Sequence, residues 1–283
     1  MKRILITGSR GFVGKALTNF LTEKNLEFFC TNIDLCNWNS VKETQQADII
    51  IHLASKNFVP ESFEKPHLYY QNNITSTLNV LEIAKIWKAK LIFFSTYVYG
   101  TPQYLPINEE HPITPLNPYT QSKVIGEELC EAYFRDFRVP ITIFRPFNIF
   151  GPDQNKSFFI PTIISQLDNE YINLNDPRPK RDFIYIDDVI NAIWLAVNNI
   201  EPNLNIYNLG TGVSTSVCDL VNSIIDIFDS KAKANFSNNI RQGEVLETIA
   251  DISKIQKELG WSPKYTLLEG INIIKKKLIH SHH

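Results

Sequence analysis

The sequence has few cysteines and no surplus of charge of either sign. Its four cysteines, Cys30, Cys36, Cys130 and Cys218, stand at spacings that match neither a zinc site nor a disulfide framework. We therefore expect reduced thiols and no metal centre, and we interpret the C-terminal histidines as a tail without a ligand. The 28 basic and 30 acidic residues leave a net charge of -2, so we predict that nucleic acid is not a partner.

Long apolar runs are also missing. The most apolar stretches, such as residues 49–54, are far shorter than the roughly 20 residues that a membrane-spanning helix needs. The chain passes from Met1 directly into a strand pattern, without the apolar core and cleavage site of a signal peptide. We expect a protein that does not enter a membrane and that resides in the cytoplasm.

Short apolar segments alternate with amphipathic segments along the chain. Strand-like segments are residues 4–7, 27–30, 48–52, 90–94 and 141–144, and helical spacing of apolar residues occurs at 13–22, 73–86 and 121–134. Because the strand-like segments are apolar throughout, they suit a parallel sheet with helices on both faces. The pattern predicts an α/β fold with a doubly wound parallel sheet.

The alternation of strand-like and helical segments becomes less regular after Gly151. Helical patterns follow at residues 161–167, 187–197, 217–228 and 267–278. We expect one large domain formed by residues 1–150 with returning segments near 182–210. Residues 151–181 and 211–283 would form a smaller C-terminal lobe.

A glycine-rich turn lies between the first strand and the first helix. It reads Thr7-Gly8-Ser9-Arg10-Gly11-Phe12-Val13-Gly14. Such glycines permit a tight turn and close approach of the backbone to a pyrophosphate, which the helix N-terminus stabilises. The alternative is a turn with a structural role only, but the strand-turn-helix context favours a Rossmann-type dinucleotide site. The residues assigned to it are Gly8, Arg10, Gly11, Phe12, Val13 and Gly14.

The end of the second strand bears on the choice of dinucleotide. In a usual NAD site an acidic residue there binds the ribose 2′-hydroxyl, whereas this chain has Thr31 and Asn32, with Asp34 slightly later. Arg10 could pair with a 2′-phosphate, although it could also be a solvated turn residue. We therefore favour NADP(H) over NAD(H), with Thr31, Asn32 and Asp34 near the adenosine.

A second motif, Pro118-Tyr119-Thr120-Gln121-Ser122-Lys123, opens a long helix after the fourth strand. Its four-residue spacing puts Tyr119 and Lys123 on one helix face, where an ammonium can lower the pKa of the phenol. Tyr119 would then exchange protons as a general base or acid. Such a pair is common on helices, and it is the position after the fourth strand that makes it specific.

These residues resemble the extended short-chain dehydrogenase/reductase superfamily, in the branch that modifies nucleotide sugars. Further matching segments are His52-Leu53-Ala54-Ser55, Asn73 to Thr77, Ser95-Thr96-Tyr97-Val98-Tyr99-Gly100, Arg145 to Pro152, Lys180 to Asp188, Arg241 to Glu244 and Ala250 to Lys254. The resemblance covers nearly the whole chain.

The resemblance implies roles for individual residues. Ser95 would complete a catalytic triad with Tyr119 and Lys123, and Lys123 would also hold the nicotinamide ribose. Further cofactor contacts would come from Leu53, Ala54, Ser55, Asn73 and Pro146. The substrate, a nucleotide-diphosphate sugar, would be bound by Ser95, Thr96, Tyr97, Asn148, Arg181, Arg241 and Glu244. For the two arginines the alternative is a surface ion pair.

Differences from the motifs of the family reduce the number of reactions that this chain is expected to catalyse. The dehydratases of this branch have Asp-Glu directly after the hydroxyl residue of the triad, whereas this chain has Thr96 and Tyr97 after Ser95. The relatives that epimerise at carbon use a Cys/His pair, whereas this chain has Tyr97 and Phe158 at the corresponding positions. We expect hydride transfer at sugar C4, either as reduction of a 4-keto sugar or as 4-epimerisation with a tightly bound NAD. The absence of an acid after the second strand favours reduction. A sensor that binds cofactor without turnover is disfavoured by the complete triad. The resemblance also implies a homodimer.

Overall fold

A computed structural model describes residues 2–199, 201–237, 239 and 244–280. The strands are, in chain order, β1 (Ile4–Thr7), β2 (Phe28–Thr31), β3 (Ile49–His52), β4 (Lys90–Phe94), β5 (Ile141–Pro146), β6 (Asn148–Phe150), β7 (Tyr171–Leu174), β8 (Lys180–Tyr185), β9 (Leu204–Leu209), β10 (Ser214–Ser216) and β11 (Lys233–Phe236). The helices are α1 (Phe12–Glu23), α2 (Trp38–Lys42), α3 (Val59–Glu64), α4 (Pro66–Trp87), α5 (Pro118–Phe137), α6 (Phe159–Ile164), α7 (Ile186–Asn198), α8 (Val217–Phe228), α9 (Ser253–Leu259) and α10 (Leu267–His280).

Six strands form a central sheet in the order β2-β1-β3-β4-β5-β9. Every neighbouring pair in it is parallel. The chain moves outward from β1 to β2 and then returns to the other side of β1 for β3, which makes a topological switch point between β1 and β3. Ligands of doubly wound sheets bind in the crevice at the carboxyl ends of the strands at such a point.

The sheet is apolar on both faces because each face supports its own core. Along β1, Ile4 and Ile6 belong to one buried cluster and Leu5 to the other, as the two-residue period of a strand requires. Helices α1 and α7 cover the first cluster, and α2, α4 and α5 cover the second. The predicted doubly wound α/β fold is confirmed, and the five predicted strands begin within one residue of β1 to β5.

Two small sheets lie outside the central one. In the first, β8 pairs in parallel with β6 and antiparallel with β10, and in the second β7 and β11 are parallel. They pack with α8 and α10, and α6 packs against α8. Within the described ranges, no helix is both long and apolar enough to cross a membrane.

Candidate active site

A cavity of about 1000 Å³ opens at the carboxyl edge of the central sheet. The glycine turn and the start of α1 form one wall, and the loop after β3 forms another. The remaining lining comes from the ends of β4 and β5, from Tyr119 at the start of α5, and from residues 153–155 and 158–160. The cavity thus runs from the predicted dinucleotide turn to the predicted catalytic tyrosine.

Close backbone contacts shape the glycine turn. Gly8 has a φ of +74°, and a Cβ there would lie 2.6 Å from the backbone nitrogen of Ala54 in the loop after β3. A Cβ on Gly14 would lie 2.2 Å from the carbonyl oxygen of Gly8. Gly11 is the N-cap of α1 and provides no side-chain cap, so the first N–H groups of the helix are available to an anion.

This wall of the cavity fits a dinucleotide pyrophosphate. Phe12 and Val13 follow the turn along the cavity, and Leu53, Ala54 and Ser55 line it opposite. Two cationic side chains are exposed at this wall, Arg10 in the glycine turn and Lys15 in the first turn of α1. Pro146 lines the cavity from the end of β5. Lys15 was not predicted as a cofactor-binding residue, although its position four residues after Gly11 is visible in the sequence.

The residues predicted for the adenosine end lie at the same sheet edge as Gly8, beyond the main cavity. Thr31 pairs with Thr7 in the sheet and borders a separate, shallower depression of about 460 Å³. Asn32 is exposed. The Asp34 carboxylate accepts a hydrogen bond of 2.9 Å from the backbone N–H of Cys36 and so stabilises the turn before α2.

Asn73, predicted as a cofactor contact, shapes the loop after β3. It is buried in α4. Its amide oxygen accepts from the Lys56 backbone N–H at 2.8 Å, and its nitrogen donates to the Lys56 carbonyl at 3.0 Å and to Ser122 Oγ at 2.9 Å. These bonds fix the backbone just beyond Ser55, one of the lining residues.

Tyr119 lies at the cavity, which Thr96 also lines. Asn117 caps the helix: its side chain accepts from the Thr120 N–H at 2.9 Å, and the Thr120 hydroxyl lies 3.3 Å from the Asn117 N–H. This capping box fixes the first turn of α5 and therefore the position of Tyr119.

Burial raises the pKa of Tyr119, and the nearby Thr96 side chain opposes the rise by a smaller amount. The net direction is upward, unlike the lowering that the Tyr119–Lys123 spacing predicts. Lys123 is buried, with its ammonium 4.3 Å from the centre of the Phe93 ring, and burial lowers its pKa to about 8. Tyr119 is therefore a protonated phenol at neutral pH, suited to donate a proton.

Ser95 also borders the cavity, yet its hydroxyl points to a buried ion pair. Ser95 Oγ donates to Glu127 Oε1. Arg145 holds the same carboxylate with hydrogen bonds of 3.0 Å from Nε and 2.6 Å from Nη2. Burial opposes the charge on Arg145, but the contacts with Glu127 outweigh it and raise the pKa of the guanidinium. Glu127 and Arg145 were not recognised as neighbours of Ser95 from the sequence.

Two predicted substrate residues differ in their access to the cavity. Asn148 lines it, and its amide nitrogen donates to the Asp182 carbonyl at 3.3 Å. Tyr97 instead donates its hydroxyl to the Gly100 carbonyl at 2.7 Å and packs edge-on against Phe147. Burial raises the pKa of Tyr97 to about 12.

The structure brings two further predicted substrate residues together as a pair. Arg181 Nη2 donates to Glu244 Oε1 at 2.5 Å, and Nη1 donates to the Val245 carbonyl at 2.7 Å. About a fifth of each side chain is exposed. The ion pair considered for Arg181 in the sequence is thus present, and its partner is Glu244. Arg241 lies outside the described residues.

Sequence reasoning missed several lining residues. Lys56, Asn57 and Val59 line the cavity after β3, and Asp153, Gln154 and Asn155 line it beyond β6. Apart from Val59, which begins the short helix α3, these residues belong to irregular segments, where no periodic pattern indicates which side chains face inward.

Comparison with known proteins agrees with this geometry. The model of the GDP-mannose 4,6-dehydratase family matches residues 26–274. The GDP-6-deoxy-D-talose 4-dehydrogenase of Aggregatibacter actinomycetemcomitans is 32% identical over 286 residues, which cover 95% of each chain. The UDP-glucuronate 4-epimerase of Thermodesulfobacterium geofontis is 32% identical over 264 residues, covering 90% of this chain and 80% of the relative. The structure of RMD from Pseudomonas aeruginosa complexed with NADPH superposes with a TM-score of 0.91 at 27% identity, covering 99% of this chain and 100% of the other.

These matches span almost the whole chain and confirm the resemblance found in its motifs. The relatives are nucleotide-sugar dehydrogenases and epimerases. The chain belongs to the GDP-mannose 4,6-dehydratase family of extended short-chain dehydrogenases/reductases.

Proposed function

We propose that this protein is an NAD(P)-dependent nucleotide-sugar oxidoreductase that reduces the C4 ketone of a nucleotide-diphosphate 4-keto-hexose. The observation that carries the proposal is the position of Tyr119 in the same cavity as the glycine turn and the uncapped start of α1. Reduction of a ketone needs a proton donor at the oxygen, and a buried phenol of raised pKa is such a donor at neutral pH.

The proposed roles follow from the positions of the residues. Gly8, Gly11 and Gly14 let the cofactor pyrophosphate approach the N–H groups of α1, and the bound nicotinamide supplies the hydride. Tyr119 gives its proton to the C4 oxygen as the hydride reaches the carbon. A ketone, one hydride and one proton become a secondary alcohol, and Tyr119 is left as a phenolate.

We propose NADP(H) as the exchangeable cofactor. Arg10 and Lys15 place two cations beside the glycine turn, and the end of β2 carries Thr31 and Asn32 in place of an acid. The relative RMD, whose structure contains NADPH, supports the same choice.

The substrate lobe would comprise residues 151–181 and 211–283, against a cofactor domain of residues 1–150 and 182–210. We propose that Asn148, Thr96 and Ser95 contact the sugar and that Arg181, Glu244 and Arg241 contact the nucleotide diphosphate. Support comes from the cavity, to which Asn148 and residues 153–155 and 158–160 contribute. The cytoplasmic location stays a prediction.

We also propose a homodimer. Helices α4 and α5 lie side by side on one face of the sheet, and both leave large apolar side chains exposed, including Leu78, Ile86 and Phe137. Such side chains are more often found at an interface than on a free surface.

The alternative is a nucleotide-sugar 4-epimerase with retained NAD, which would use the same hydride chemistry. It is favoured by the 32% identity with the UDP-glucuronate 4-epimerase. Epimerisation would begin with Tyr119 taking a proton from the C4 hydroxyl and would end with Tyr119 returning it.

A panel of nucleotide sugars and their 4-keto derivatives, incubated with and without NADPH, tests the proposal. We expect a 4-keto substrate to be consumed together with an equal amount of NADPH. Conversion of a nucleotide sugar into its epimer without added reductant would overturn reduction in favour of epimerisation.

Tyr119→Phe provides the variant test of the same proposal. It should reduce kcat about 100- to 10,000-fold, the contribution of a general acid, while cofactor affinity is retained. Tyr171→Phe, on the exposed strand β7, is the control and should keep full activity. A fully active Tyr119→Phe enzyme would refute the mechanism.

A further inference from the structure

Glu127 and Arg145 form a buried ion pair beside Ser95. Their side chains are 3% and 2% exposed, and Glu127 Oε2 accepts hydrogen bonds of 3.0 Å from Nε and 2.6 Å from Nη2 of Arg145. Removing two charges from water is unfavourable, and apolar residues of similar volume often stabilise such a position equally well. Among the described residues, Ser95 lines the cavity and neither member of the pair does. A role of the pair in the site would therefore be exerted through Ser95.

The guanidinium of Arg145 is held on its other side as well. Nη1 donates to the Tyr99 hydroxyl at 3.0 Å and to the Glu109 carbonyl at 3.1 Å. The Tyr99 hydroxyl in turn donates to Asn208 Oδ1 at 2.6 Å. These bonds connect Arg145 on β5 with the neighbouring strand β9 and with the segment after β4. They fix the orientation of the guanidinium and, through it, the orientation of the Glu127 carboxylate.

The Ser95 hydroxyl takes its direction from this carboxylate. Ser95 Oγ donates to Glu127 Oε1, and an ionised carboxylate only accepts hydrogen bonds, so the hydrogen must come from Ser95. A serine side chain without a partner has three staggered rotamers to choose from. The contact with Glu127 selects one of them and thereby sets where the Ser95 oxygen lies at the cavity.

Helix α5 carries Glu127 two turns after Tyr119. Tyr119, Lys123 and Glu127 follow one another at intervals of four residues, and residues four apart lie on the same side of a helix. The first turn is fixed by Asn117, whose side chain accepts from the Thr120 N–H at 2.9 Å. One rigid element therefore positions the proton donor and also holds the partner of the Ser95 hydroxyl.

We infer that Glu127, oriented by Arg145, is a positioning residue that fixes the Ser95 hydroxyl relative to Tyr119 for the reaction at sugar C4. The inference rests on the proposed function, because Glu127 acts on the reaction only through the contact of Ser95 with the sugar. The Glu127 carboxylate does not touch the substrate and neither gives nor takes a proton.

Glu127→Asp tests this role. The variant keeps the charge opposite Arg145 but is shorter by one methylene group, so the Ser95 hydroxyl loses its fixed acceptor. We expect kcat to fall about 10- to 100-fold, because misplacing a reacting group by roughly 1 Å can cost about 100-fold, with KM nearly unchanged. Glu128→Asp is the matched control, since it makes the same change at the next, exposed residue of α5, and it should keep full activity.

The same change in a Ser95→Ala background separates positioning from a structural role. If Glu127 acts through Ser95, Glu127→Asp should lower kcat by less than about twofold in that background, since residues that share one contact are not additive. A structural role in α5 would displace Tyr119 and lower kcat by the same factor in both backgrounds. That result, or a fully active Glu127→Asp enzyme, would overturn the inference. Glu127→Gln, which keeps the length of the side chain, replaces Glu127→Asp in these comparisons if the latter does not fold.

A second measurement needs no sugar and so distinguishes failure of the inference from failure of the proposed function. Urea denaturation compares the wild type, Ser95→Ala, Glu127→Asp and the double variant. We expect the double variant to lose less stability than the sum of the two single losses, because the two side chains are in contact. Additive losses would overturn the inference whatever reaction the enzyme catalyses. Coupled losses in a protein that does not consume a 4-keto sugar with NADPH would instead refute the proposed function, and the kinetic comparison would then use the reaction that the substrate panel identifies.

Discussion

At the scale of single residues, protonation decides what the buried side chains of this protein can do. The Tyr119 phenol is kept protonated by burial, and Glu127 is kept beside Arg145 as an acceptor for Ser95. The sequence identified Tyr119 and Ser95 from their motifs. It did not identify the contact of Ser95 with Glu127, because these residues are 32 positions apart and no local pattern joins them.

His52, at the end of β3, gives a residue-scale prediction about stability. Its Nδ1 lies 2.7 Å from Thr7 Oγ1, and burial lowers its pKa from 6.5 to about 3, with a smaller contribution from the charge of Lys123. Between these two values the unfolded chain binds a proton that the folded protein excludes, so stability is lost as the pH falls. We expect this residue to remove about 2 kcal/mol of unfolding free energy between pH 7 and pH 5.

Urea denaturation at the two pH values measures the effect in the wild type and in His52→Gln. The loss should be smaller by that amount in His52→Gln. His67→Gln, on the exposed start of α4, should behave like the wild type. Equal losses in all three proteins would contradict the assignment.

Arg10 gives the residue-scale prediction about the cofactor. If the guanidinium pairs with a 2′-phosphate, Arg10→Ala should weaken NADPH binding about 10- to 100-fold and leave NADH binding nearly unchanged, since a charge-assisted bond is lost only with the phosphate. Fluorescence titration of both cofactors measures the ratio. Arg135→Ala, at an exposed ion pair on α5, is the control. An equal loss of affinity for NADPH and for NADH would contradict the proposed preference for NADP(H).

At the scale of elements, the glycine turn depends on contact between two loops. Gly8→Ala would place a Cβ 2.6 Å from the Ala54 nitrogen at a φ of +74°, so the loops after β1 and β3 must separate. Gly260 also has a positive φ, +63°, but with nothing within 4 Å of an added Cβ. We expect Gly8→Ala to abolish cofactor binding, and Gly260→Ala to cost about 1 kcal/mol of stability with binding intact.

Calorimetric titration with NADPH and thermal unfolding of both variants check this prediction. Both variants place an alanine at a positive φ, so backbone strain is common to them. The difference in cofactor binding between Gly8→Ala and Gly260→Ala therefore reports the contact with the loop after β3. Normal binding by Gly8→Ala would show that the contact with Ala54 is dispensable.

The elements also show where sequence patterns stop being informative. Helices α1 and α5 were expected because apolar residues recur at helical spacing over ten or more positions. The short α2, α3 and α9 and the strands β6 to β11 were not expected. A segment of three to seven residues carries too few periods to distinguish helix from strand.

At the scale of the whole molecule, the proposed dimer would cover the outer surface of α4 and α5. Leu78→Glu puts a charge on the exposed apolar surface of α4 and should convert the dimer into a monomer, since burying an unpaired carboxylate is unfavourable. Light scattering after size-exclusion chromatography reports the mass. Ile279→Glu, on the exposed end of α10, should keep the wild-type mass, and a wild type that is already monomeric would refute the proposed interface.

The sequence by itself determined the fold class, the position of the glycine turn after the first strand and the position of Tyr119 at the start of a helix after the fourth strand. These features depend on periodicity and on motifs of a few adjacent residues. Only the tertiary structure decided which partners the polar groups have. Asn73 binds the Lys56 backbone, Arg181 binds Glu244, and the Ser95 hydroxyl donates to Glu127. The physical reason is that a hydrogen bond depends on distance and direction between residues far apart in the chain, and these are set only when the sheet and its helices have packed.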